Sequence, residues 1–212
     1  MGRGTPELIR RHRVFLLSPA DCSGKRAKLL RDPRSESELA TKLRGGEGAE
    51  LGDVFAFVSS LYFRGKLAYA RAFARPPQGN DGIFVITQGD GLRVPETMIR
   101  VDDLERLAGV PIDPQNQSYR APLLRDLRAR ARHWLNTDVV LLGSIASDKY
   151  VQLLTSVLGR RLRFPVDFVG RGDMSRGGLM LRSARDGAEL HYEVLLDAQR
   201  RGPRPERLPP LK

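Results

Sequence analysis

The sequence predicts an α/β fold: a mostly parallel central sheet flanked by helices, with a late C-terminal β-hairpin. Three observations carry that expectation. Residues 14–17, 83–87 and 139–142 are continuous apolar runs of strand length, the pattern of strands buried on both faces. Each run ends in a small polar loop, at residues 18–24, 88–91 and 143–150. Between the runs, apolar residues recur at helical spacing, so helices are expected to cover the sheet. A length of 212 residues suits one domain, assigned to residues 1–201, with residues 202–212 as a proline-rich tail expected to be disordered.

The first strand must stop at Ser18-Pro19, because proline lacks the N–H that a sheet interior needs. The turn that follows, residues 20–24, holds the only cysteine, Cys22, and residues 25–31 read as a short helix. The elbow therefore lies between a strand C-terminus and a helix N-terminus, where unpaired backbone N–H groups attract anions. Asp32-Pro33 ends this helix, and Ser35 with Glu38 is expected to open the next one in a capping box. After the break at residues 45–48, Leu51, Val54, Phe55, Val58, Leu61 and Tyr62 set one face of a helix. Gly65 is expected to interrupt it before residues 67–74 resume and Pro76-Pro77 stop it. The junction places aromatics beside cations: Phe63 reads as core, while Tyr62, Arg64 and Lys66 are candidates for stacking and phosphate contact.

After the second strand, residues 102–107 read as a short helix and residues 111–122 as a polar connection with neither helix nor strand signal. Leu124, Leu127, Ala131, Trp134 and Leu135 give the buried stripe of the next helix, with Arg125, Arg128 and Arg132 as a basic ridge on another side. The third strand and its helix run to Gly159. Residues 170–178 then set Arg171 and Arg176 among four glycines, a segment that can approach phosphate but lacks the Gly-Lys-Ser/Thr ending of a P-loop. Residues 179–181 and 189–195 are expected to be the two late strands, turning at Asp186-Gly187.

Composition narrows the function classes. Thirty-six Lys and Arg against 25 Asp and Glu give a formal charge of +11, an excess suited to a polyanion such as nucleic acid. One cysteine rules out an intramolecular disulfide framework and, with no apolar leader at the start, makes the cytoplasm the expected compartment. No run approaches the roughly 18 apolar residues of a membrane helix, so no membrane partner is expected. His12, His133 and His191 form no ligand pair with Cys22, and neither metal nor cofactor is expected. No Ser/His/Asp order, HExxH or paired-carboxylate signature is present, so catalysis is not established by motif.

If the strands are parallel neighbours, their three end loops line one crevice. The leading expectation is a nucleic-acid-associated or nucleotide-binding protein, DNA before RNA. Phosphate would meet Lys25, Arg26, Arg64, Lys66, Arg171 and Arg176, helped by the Ser18, Ser144 and Ser147 hydroxyls. A non-catalytic binding module is the alternative. The catalytic version makes Cys22 a nucleophile activated by the helix N-terminus, Lys25 and Arg26. Asp21 or Asp148 would carry protons, and Lys149 or Ser147 would stabilise developing charge. Against it stands burial of a lone cysteine as a small hydrophobe.

Five segments, taken together in order, carry a family resemblance. They are Leu17-Ser18-Pro19-Ala20, Gly52-Asp53-Val54-Phe55, Gly91-Leu92-Arg93-Val94-Pro95, Ile145-Ala146-Ser147-Asp148-Lys149-Tyr150 and Arg171-Gly172-Asp173-Met174-Ser175-Arg176. Over residues 14–181 the chain resembles the YaaA-like (peroxide-stress protein) family and its small uncharacterised relatives. The resemblance implies a compact α/β fold with a positively charged cleft, DNA association, and protection of DNA from iron-driven oxidative damage. Related domains sit in pathways that install 7-deazaguanine bases in DNA, where a nitrile is hydrated to an amide, which gives Cys22 a possible electrophile. Lys149 stands where the family pattern has Glu, and Cys22 lies just past its Ser-Pro-Ala.

Overall fold

The computed structural model describes residues 11–146, 148–206 and 208. In chain order the elements are β1 (His12–Leu17), α1 (Lys25–Arg31), α2 (Glu38–Arg44), β2 (Ala49–Glu50), α3 (Leu51–Phe73), β3 (Ile83–Ile86), β4 (Leu92–Arg93), β5 (Met98–Ile99), α4 (Val101–Ala108), α5 (Gln117–Ala131), β6 (Thr137–Leu142), α6 (Asp148–Leu158), β7 (Leu162–Pro165), α7 (Asp173–Asp186) and β8 (Tyr192–Val194). One six-stranded sheet has the order β4-β3-β1-β6-β7-β8, and β2 pairs with β5 in a separate two-stranded ribbon. Strands β3, β1, β6 and β7 are parallel, while β4 and β8 are antiparallel edges. The fold is thus the α/β architecture expected, with its late antiparallel pair at one edge.

The continuous apolar runs follow from burial on both faces. Along β1, Phe15 and Leu17 join the core under α1, α3, α4 and α7, whereas Val14 and Leu16 join the core under α5 and α6. Among the described residues no helix is long and apolar enough to cross a membrane.

Several sequence expectations change. The partner of β8 is β7, and residues 179–181 lie inside α7 rather than in a strand. Its buried residues are Arg176, Gly177, Gly178, Met180 and Ser183, hidden from a hydrophobicity pattern because glycine and arginine occupy three of the five positions. Residues 111–122 are not wholly irregular: α5 starts at Gln117, capped by the Asn116 side chain accepting from Ser118 N, and carries Pro122 inside. The cap of α2 is Ser37 rather than Ser35, its hydroxyl accepting from Ala40 N. The break in α3 is not at Gly65 but at Ser60, which has φ 49° and ψ −130°. Such a conformation costs a non-glycine residue on the order of 1–3 kcal/mol. Gly65 and Gly177 instead let α3 and α7 touch backbone to backbone: a Cβ on Gly177 would lie 2.7 Å from the Leu61 carbonyl oxygen, and one on Gly65 would lie 2.5 Å from that of Gly177.

Candidate functional site

The chain leaves β1 toward the α3 face of the sheet and leaves β6 toward the α6 face, so their adjacent C-terminal ends form the switch point where open α/β sheets take ligands. Leu17 is in register with Leu142, which brings Ser18 beside Gly143. Gly143 is required there: a Cβ would lie 2.7 Å from Ser18 Cβ and 2.9 Å from the Tyr150 hydroxyl. The kink at Ser60 re-aims the second half of α3, and Lys66 reaches back to this strand end. Its Nζ donates to Ser18 Oγ at 2.7 Å and to the Ser18 carbonyl at 3.0 Å, and lies 4.0 Å from the centre of the Tyr62 ring.

Lys66 is 1% exposed and Ser18 is 4% exposed. Among the described residues no carboxylate forms an ion pair with Lys66. Burial therefore pushes the amine down to about 7; Asp173 opposes that fall and Arg176 adds to it. The Tyr150 phenol lies beside Ser18 and donates to the Ser144 carbonyl at 2.8 Å. Burial pushes that phenol up to about 12. Two further hydroxyls, of Tyr62 and Tyr119, are buried without a hydrogen-bond partner and lie in the field of Tyr150. Arg176 closes the cluster from α7, its guanidinium donating to the Phe168 carbonyl at 3.1 and 3.2 Å and pairing with Asp173 at 3.3 Å.

The residues singled out in the sequence divide into three groups. Ser18, Lys66 and Arg176 do meet at the switch point, with Ser144 contributing its carbonyl, but Lys66 and Arg176 point inward and are committed to protein acceptors. Burial takes them away from the phosphate contact expected of them. A second group is on the surface: Lys25, Arg26 and Arg64 are exposed, with Arg26 donating to the Phe57 carbonyl. Asp148 is exposed and paired with Arg200 at 2.6 Å, and Lys149 beside it is exposed. Ser147 lies outside the described residues.

The third group is the cysteine elbow. Cys22 is buried, its thiol within 3.8 Å of the Ala20 carbonyl, and its N–H donates to Gln88 Oε1. Burial first and the Asp21 charge second push the thiol up to about 12, against a smaller opposing pull from Arg31. That reverses the thiolate expected from a helix N-terminus with Lys25 and Arg26: desolvation dominates, and the one cation that lowers the thiol is Arg31 rather than Lys25 or Arg26. Asp21 itself is exposed and accepts from Ser23 N and Oγ. Among the described residues no three His, Cys, Asp or Glu side chains are grouped to hold a metal ion.

A separate groove of about 650 Å³ opens at the start of α7. Arg171, Arg182 and Arg204 line it with Gly172 and Ser175, and Glu206 is the acidic lining residue. Residues 202–206 run alongside: the Pro203 carbonyl approaches Gly170 so closely that a Cβ there would lie 2.0 Å from it, and Gly170 has φ 72°. The sequence reading found Arg171 but missed Arg182 and Arg204, which are brought to it only by the turn of α7 and the return of the chain. Tyr150 and Gly143 were also missed as site residues, although they bound the loop 143–150 expected to line the crevice. Compared with protein-family models, curated proteins and solved structures, the chain matches none.

Proposed function

We propose that the protein is nucleic-acid-associated, holding the phosphate backbone, of DNA in the first instance, against the groove at the start of α7. The observation that carries this reading is the convergence of Arg171, Arg182 and Arg204 on one groove in a chain of formal charge +11. The YaaA-like motifs support it, since that resemblance implies DNA association. A further concave strip on α5, lined by Arg120, Arg125, Arg128 and Arg132, extends the basic surface, although Arg125 is partly answered by Asp126 at 2.9 Å.

Binding of a fluorescent DNA duplex measured by anisotropy over a salt series tests the proposal. Three phosphate contacts give a slope of about −2.7 in log K against log salt. The Arg171→Ala, Arg182→Ala, Arg204→Ala triple variant is expected to bind at least about tenfold more weakly and to lose most of that slope. A chain that does not bind duplex or single-stranded oligonucleotides at low salt, or a triple variant with unchanged slope, overturns it.

A further inference from the structure

We propose that Ser18 is a nucleophile and Lys66 its general base, in a second, catalytic site at the switch point that transfers an acyl group from a small ester or amide to water. The geometry is that of an activated hydroxyl: Ser18 Oγ lies 2.7 Å from Lys66 Nζ, and the Tyr150 phenol stands beside it over Gly143. A serine hydroxyl is a weak nucleophile until a neighbouring base takes its proton, and lysine serves as that base only when neutral. Here the amine is buried, has the Tyr62 ring and the Ser18 oxygens for company, and is faced by Arg176 and Asp173 from α7, Tyr150 from α6 and Tyr62 from its own helix. It is neutral in a large fraction of molecules at physiological pH, its protonation midpoint lying at about 7.

A lysine that merely pins a strand end would account for the two hydrogen bonds to Ser18. It would not account for the partnerless hydroxyl of Tyr62, whose ring lies against the Lys66 amine, because buried polar atoms are normally satisfied and an orphan marks a place where a ligand or water completes the set. Ser18 is 4% exposed, so the substrate proposed is a small, slender acyl compound and not a polymer. In the reaction, Ser18 Oγ forms a bond to the carbonyl carbon as its proton passes to Lys66. Collapse of the tetrahedral adduct breaks the carbon–oxygen or carbon–nitrogen bond, and the Lys66 ammonium returns the proton to the leaving alcohol or amine. Water then attacks the acyl carbon, Lys66 takes its proton and hands it to Ser18, and a carboxylic acid leaves.

The test exposes the full chain to a small alkyl fluorophosphonate and reads the adduct by intact mass and peptide mapping. One adduct on Ser18 is expected, with loss of fluoride and a rate that climbs as pH rises through about 7, following deprotonation of Lys66. Lys66→Met is expected to slow it by about 100-fold or more and Ser18→Ala to abolish it. Because Lys66→Met removes buried hydrogen bonds, Tyr150→Phe is run beside it, expected to react at an altered rate while keeping the far-ultraviolet circular dichroism of the parent. No adduct on the folded parent, an equal adduct in Ser18→Ala, or a rate on Ser18 that does not change with pH overturns the proposal. Oligonucleotide binding is measured on Ser18→Ala in parallel, so failure of the acyl-transfer reading and failure of the nucleic-acid reading are seen separately.

Discussion

Replacing Lys66 by methionine should remove a pH dependence of stability that only a buried, unpaired amine can produce. The unfolded chain holds this proton up to about 10.5, whereas the folded protein releases it at about 7. Between those values the unfolded state binds more protons, so stability rises with pH; below about 7 both states are protonated and the cost of burying the charge is paid in full. From about pH 7 to about pH 9 linkage gives a gain of about 2 kcal/mol in unfolding free energy. Cys22 works in the opposite sense, since its folded value of about 12 exceeds the ordinary 9.0 of a thiol, and it takes back only about 0.4 kcal/mol at about pH 9. Urea denaturation followed by circular dichroism at intervals across this window measures the slope. The parent is expected to gain stability and Lys66→Met to stay flat or fall slightly, the cysteine contribution being common to both. A parent with no rise, or a variant that keeps it, would show that Lys66 is charged in the fold and would refute the reasoning.

Two further outcomes are expected. Gly177→Ala forces a methyl to within 2.7 Å of the Leu61 carbonyl and 2.9 Å of Tyr62 Cα, so α3 and α7 must part, at about 1–3 kcal/mol. Gly178→Ala, with nothing within 4 Å of its Cβ, should be neutral or stabilising by up to about 1 kcal/mol through helix propensity; thermal melts of the pair that rank the other way would refute the close approach. Cys22 should resist iodoacetamide in the native protein near neutral pH and react on denaturation in urea, because its thiol is buried and protonated; rapid native alkylation would show the elbow open.

The division between sequence and structure follows from the range of the forces involved. The sequence by itself determined the central strands, because residues 14–17 of β1, β3, and residues 139–142 of β6 are buried on both faces and are apolar throughout. It also determined the stop at Ser18-Pro19 and the basic character of the chain, which are properties of single residues and of their sum. It could not show α7 as a helix, since among its buried residues, Arg176, Gly177, Gly178, Met180 and Ser183, only Met180 is a large apolar side chain, and the helix docks by backbone contact and hydrogen bonding. It named Lys66 and Ser18 for the wrong reason, as phosphate contacts. Whether a lysine is a solvated cation or a buried amine at about 7 depends on what surrounds it, and residues 48 positions apart supply that only when α3, kinked at Ser60, folds back on the end of β1. Likewise a cysteine near a helix N-terminus becomes a thiolate or an inert thiol according to desolvation, which grows with packing from distant elements, and here desolvation is the largest influence on the thiol.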